Sequence, residues 1–250
     1  MGQMITFKRP DGKECNGYLA TSAQVDKAPG VVVIQEWWGL NDQIKGVADK
    51  LAGLGYRALV PDLYKGKVTL DAAEAQHLMT NLDFGQAASQ DIRGAAQYLK
   101  QSSAKVGVVG FCMGGALTVL AAVFVKDIDA ASSWYGFPPE QAADVTKISI
   151  PLQLHFAERD ASFNPENARA LEAKLRRARS TSSPTGTTPS TPLATKPARS
   201  TIPQPPSSPG TARLRFLPST LSDRYLAVHG GRLCEEGSAT GFEVEAVVVV

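Results

Sequence analysis

Gly110-Phe111-Cys112-Met113-Gly114-Gly115 lies between the apolar run Val106-Gly107-Val108-Val109 and the apolar segment Ala116 to Val125. The first run has the composition of a strand buried on both faces, and the second has the length of a helix. A cysteine at such a turn stands on a sharp reversal of the chain. Small residues two before and two after it, Gly110 and Gly114, relieve the crowding there. The helix that begins at the turn aims its first amides and the positive end of its dipole at the thiol. That environment favours a thiolate and supplies donors for a developing oxygen anion. A buried structural cysteine beside a glycine-rich turn is the plain alternative. The coincidence of strand, turn and helix argues against it.

Outward from this stretch the chain alternates strand and helix. Ile5-Thr6-Phe7 and Cys15 to Ala20 flank Pro10-Asp11-Gly12 and predict a hairpin. Gly30 to Gln35 reads as a fully buried strand. Ile44, Val47, Ala48, Leu51 and Leu54 recur at helical spacing over Asn41 to Leu54, and Gly55 stops them. Arg57 to Val60 is a short strand closed by Pro61-Asp62. Helices are expected over Leu70 to Leu82 and Ala87 to Leu99, strands over Ala130 to Trp134 and Ile150 to Phe156, and a last helix over Pro165 to Arg177. The alternation predicts an α/β fold, a mostly parallel sheet with helices on both faces.

The 250 residues suffice for one domain with a substantial core, and the net charge of +2 gives no pull toward nucleic acid or membrane. No apolar run approaches the length of a membrane span. The three cysteines, Cys15, Cys112 and Cys234, are too few and odd in number for a disulfide framework, so a reducing cytoplasm is the expected compartment. A monomer acting on a small molecule is expected, with neither nucleic acid nor membrane as partner.

A second stretch sharpens the reading. Gln35-Glu36-Trp37-Trp38-Gly39-Leu40 follows a strand at the carboxyl edge of the sheet. Together with Gly-Phe-Cys-Met-Gly-Gly and Pro61-Asp62-Leu63-Tyr64, it resembles the dienelactone hydrolase family of α/β-hydrolases. The resemblance covers roughly residues 3 to 178. It implies a hydrolase of small carboxylic esters or lactones, of the carboxymethylenebutenolidase type, with Cys112 in the place of the serine of a nucleophile elbow. It further implies that Glu36 partners the resting thiol, that the amides of Trp37 and Met113 hold the oxyanion, and that Asp160 orients a histidine. Glu158 is the competing carboxylate. No organic cofactor and no metal are implied. Arginines that would take a substrate carboxylate are not evident, since Leu70 to Leu82 contains none. A broader carboxylesterase or thioesterase on the same fold is the alternative within this chemistry.

The residues also read physically without the family. A carboxylate at a strand end beside two tryptophans is partly desolvated and has a raised pKa. A solvated loop glutamate, and Trp37 and Trp38 as core aromatics, are the plainer readings.

One part is missing. The three histidines are His77, His155 and His229. The first two precede the acid in the chain, and the surroundings of His229 do not match the His-Ala-Phe string of the family. From Ser180 to Ser222 serine, threonine and nine prolines dominate, a composition that cannot offset the entropy of ordering. One choice of codons for Pro189 to Leu193, read two bases along, spells Gln-His-Ala-Phe. The same offset over Ser208 to Leu217 gives an amphipathic helix. The chain is therefore divided into a hydrolase domain, residues 1–178, lacking its final strand and helix, and a Ser/Thr/Pro-rich tail, residues 179–250, read as frameshifted. A genuine tail is the alternative, and with it an inactive chain that keeps the pocket but lacks the triad histidine. Val244 to Val250 reads as an aggregation hazard, not as a fold element.

Overall fold

The computed structural model describes residues 2–21, 27–157, 165–181 and 244–249. Its centre is a sheet in the order β1-β2-β4-β3-β5-β6-β7-β8. The strands are β1 (Gln3–Lys8), β2 (Glu14–Thr21), β3 (Gly30–Ile34), β4 (Arg57–Pro61), β5 (Val106–Phe111), β6 (Ala130–Trp134), β7 (Leu152–Ala157) and β8 (Val244–Val249). From β4 to β7 every neighbouring pair is parallel, while β1, β2 and β8 run antiparallel to their neighbours. This is the mostly parallel α/β sheet that the alternation of elements predicts, and the α/β-hydrolase architecture that the resemblance implies.

The helices are α1 (Asp42–Gly53), α2 (Ala72–Thr80), α3 (Phe84–Gln86), α4 (Arg93–Lys100), α5 (Met113–Phe124) and α6 (Pro165–Thr181). The sheet's two faces carry separate cores, because side chains alternate along a strand. Val31 and Val33 face α1 through Ile44, Ala48 and Leu51. Val32 and Ile34 face the opposite way, into a core built with Leu99 of α4, Leu117 and Leu120 of α5 and Leu175 of α6. Local signals set the helix starts. The Asn41 side chain accepts from the Ile44 amide at 3.1 Å, and Asp71 accepts from the Glu74 amide at 2.8 Å. The cap at Asp71 delays α2 past the Leu70 start that periodicity suggests.

Three expectations need correction. The helix after the elbow begins at Met113, not Ala116, because Gly114 and Gly115 are themselves its first turn. The helical stretch expected over Ala87 to Leu99 contains a π turn, Ala87–Ile92, joining α3 to α4. Its Ala87, Ala88 and Ile92 are buried in the core beside α5. Finally, Val244 to Val249 is a fold element: β8 pairs with β7 from Gln153↔Val249 to Ala157↔Val244, with a bulge near Phe156. Without it β7 would present a row of unpaired backbone groups, which a valine-rich segment satisfies well. The sheet thus draws on residues beyond 178, and α6 itself runs to Thr181. The Ser/Thr/Pro-rich segment beyond Thr181, with Cys234 and His229, lies outside the described residues.

Candidate active site

The carboxyl ends of β3, β4, β5, β6 and β7 lie along one edge of the sheet, as parallel pairing requires. Registers Ile34↔Gly110 and Phe111↔Trp134 bring the residues that follow β3, β5 and β6 together there. Cys112 stands at the central junction between β5 and α5, with φ 53° and ψ −118°. A non-glycine residue at such angles is strained and is held only where its surroundings leave no other choice. Here they do. The Cys112 amide donates to the Trp134 carbonyl at 3.0 Å, and its carbonyl accepts from Gly115 at 2.9 Å and Ala116 at 3.2 Å.

The glycines around it are demanded by space. A methyl group at Gly110 would run into the Gly114 carbonyl oxygen, and one at Gly136 into the Cys112 carbonyl oxygen. At Gly114 it would lie 2.6 Å from the carbonyl oxygens of both Ile34 and Gln35, so the elbow is pressed against the end of β3. Cys112 is partly exposed at the start of α5, where helix amides have no partner within the helix. Met113 is the first of these residues.

Glu36 and Trp37 follow β3, and both are partly buried. The Tyr135 hydroxyl donates to Glu36 Oε1 at 3.0 Å. Burial pushes the Glu36 carboxyl up, and the Tyr135 bond opposes this more weakly. Tyr135 itself has φ 39°, a second strained residue at the same edge. Sequence reasoning did not find this partner, since residues 99 apart carry no local signal of their meeting. Trp37 and Trp38 meet edge to face at 5.0 Å, and the Trp38 carbonyl accepts from Thr69 at 3.1 Å. The loops after β3 and β4 are thereby stitched together.

Asp160 and Glu158 lie just past β7, outside the described residues. Of the described histidines, His77 is on α2, beside Asn81. His155 is on β7, 2% exposed, and its ring stacks on Trp134 at 4.0 Å between centroids. Neither ring nitrogen meets a hydrogen-bond partner among the described residues. Desolvation pushes its pKa down to about 4, so it is a neutral ring of the core. Among the described residues, no group of three or more His, Cys, Asp or Glu could hold a metal ion, and no helix is long and apolar enough to cross a membrane.

Comparison with known proteins fits this geometry. The chain is 35% identical to protein usf of Aquifex pyrophilus over 70% of its own length and 79% of that protein's. It is 32% identical to a carboxymethylenebutenolidase of Pseudomonas putida, covering 67% of this chain and 75% of that one. Among solved structures, the dienelactone hydrolase-like promiscuous phosphotriesterase P91 from metagenomic libraries superposes with a TM-score of 0.61 at 27% identity. That superposition covers 71% of this chain and 78% of the other. The model of the dienelactone hydrolase family matches residues 15–183. The elbow, the strand order and these likenesses agree, and the chain belongs to the dienelactone hydrolase family.

Proposed function

We propose that this chain is built to hydrolyse small carboxylic esters or lactones, with Cys112 as nucleophile. The observation that carries the reading is the strained backbone of Cys112 at the head of α5, on the sheet's carboxyl edge. The relatives named carboxymethylenebutenolidase support the reaction type.

In the first step the Cys112 sulfur bonds to the ester carbonyl carbon, and the carbonyl π pair moves to oxygen. The amides of Trp37 and Met113 receive that oxyanion. Collapse restores the carbonyl, breaks the bond to the leaving alkoxide and leaves a thioester on Cys112. The alkoxide takes up the proton that the thiol gave away. Water then adds to the thioester carbonyl, the C–S bond breaks, and one proton of the water returns to the Cys112 sulfur as the carboxylic acid leaves. Glu36 is the first resting place for the thiol proton, because burial makes its carboxyl easier to protonate. Asp160 is the acid that would orient the histidine this family uses to activate that water; no described histidine of this chain is placed for the role. Substrate is the only partner this chemistry needs.

The test is acylation by p-nitrophenyl acetate, followed by intact-mass and peptide mapping. One acetyl group on Cys112 in samples quenched by acid early in the reaction, absent in Cys112→Ala, is the expected result. Acetylation confined to other residues overturns the reading.

The surroundings of His155 favour a second reading for this polypeptide: acylation without efficient deacylation. A neutral imidazole stacked in the core is not placed to activate water. In that case the acetyl adduct accumulates and turnover is slight.

A further inference from the structure

The Pro61-Asp62-Leu63-Tyr64 string has a physical role apart from its use as a family marker. Asp62 is buried, and its carboxylate accepts from the amides of Tyr64 at 3.2 Å and Gly66 at 2.6 Å. Gln35, next to Glu36, accepts from the Leu63 amide at 3.3 Å. The turn after β4 is thus fixed both to itself and to the end of β3. It carries the Tyr64 ring inward to 6% exposure, where the hydroxyl donates to Met113 Sδ at 3.2 Å.

A thioether is a weak acceptor. Burying a hydroxyl against one costs more than burying the phenyl ring of a phenylalanine of nearly the same volume. Packing therefore accounts for the ring and leaves the oxygen unexplained. The oxygen sits beneath the first residue of α5, whose amide is the proposed oxyanion donor, and it feels the charge of Cys112. Burial first, and that charge second, push the phenol up to about 12, so it stays a proton donor throughout the working range.

We propose that Tyr64 is a positioning residue for the nucleophile: its hydroxyl, fixed by the Asp62 turn, holds Met113 from below and keeps the Met113 amide and the Cys112 sulfur in working alignment. The inference rests on the reading of Cys112 given above.

The test uses the full chain and iodoacetamide, with labelling of each cysteine followed by mass spectrometry across pH. In the unmodified protein Cys112 labels ahead of Cys15. Tyr64→Phe keeps the ring and the thermal transition. It slows Cys112 labelling at neutral pH about three- to tenfold, the worth of one hydrogen bond, and moves the midpoint of the profile upward. Met113→Leu removes the sulfur and moves the midpoint the same way, and the double variant goes no further than either single one. If Tyr64→Phe fails to fold, Met113→Leu decides alone. A Cys112 profile unchanged in both variants overturns the role of Tyr64 and leaves the nucleophile standing. Failure of the unmodified protein to label Cys112 first removes the nucleophile reading instead, and this inference with it.

Discussion

Cys15 and Cys112 are the same side chain in two opposite settings. Cys15 lies on β2, 7% exposed, with its sulfur 3.3 Å from the Asn16 carbonyl. Burial pushes its thiol up to about 12, and the nearby charges of Asp91 and Asp62 push the same way. Asp91 is committed elsewhere as well, pairing with Arg9 at 3.0 Å. Cys112 is partly exposed, and the structure presents it with the start of a helix. Cys15 is closed in a strand near two carboxylates, while Cys112 opens onto the head of a helix. The difference teaches that the setting of a thiol belongs to the backbone around it: a regular strand for Cys15, a strained strand-to-helix turn for Cys112.

The comparison can be broken in several ways. The largest effect concerns turnover. The chain should hydrolyse p-nitrophenyl acetate slowly in the steady state, because a general base contributes roughly a hundredfold to ten-thousandfold. Restoring the alternate reading frame from residue 179 onward should recover that factor, and replacing the restored histidine by alanine should remove it again. Turnover of the unaltered chain at ordinary enzyme rates would defeat the frameshift account. Next comes labelling. At neutral pH Cys112 should outpace Cys15 by about a hundredfold or more, since a thiol near 12 is almost wholly protonated. Equal rates in the folded protein would erase the contrast.

Acid should strike the side of the molecule that holds Cys112. The folded pKa of His155, about 4, lies below the ordinary value of 6.5, so the unfolded chain binds this proton more readily. Its share of stability is intact above pH 6.5 and is lost as pH falls toward 4, by about 3 kcal/mol in total. His155→Phe keeps a ring against Trp134 and should remove that part of the acid dependence in urea titrations. A parallel pH slope in the variant would show that the proton goes elsewhere.

Two glycines give the smallest effects, and in opposite directions. Gly114→Ala should cost about 1–3 kcal/mol by overpacking against the end of β3. Gly46→Ala, in α1 with nothing within 4 Å of the added methyl, should gain up to about 1 kcal/mol. Thermal melts of the pair check both.

What the sequence made legible was whatever repeats locally. The continuous apolar run Val31 to Ile34 and the three-and-four spacing of α1 gave the sheet and its helices to within a few residues. Gly110 and Gly114 marked the elbow because steric demand in a turn is local too. What stayed hidden depends on pairs distant in the chain. Tyr135 meets Glu36 and Tyr64 meets Met113 only once β4, β3, β5 and β6 are assembled in that order. The valines at 244–249 looked like a hazard because their partner, β7, lies some ninety residues away. The π turn at Ala87–Ile92 follows from packing against α5, and no periodicity announces it.

The strand order has a consequence for how the protein is made. β1 and β2 pair across a short turn and can close as soon as both have emerged from the ribosome. The elbow cannot. Its cysteine is gripped by the Trp134 carbonyl, part of the space around it is left by the later Gly136, and its neighbour β3 was synthesised more than seventy residues earlier. Such distant pairings close slowly. A growing chain therefore carries an unshielded Cys112 until residue 136 has left the tunnel, and the thiol acquires its special setting only as the centre of the sheet is completed.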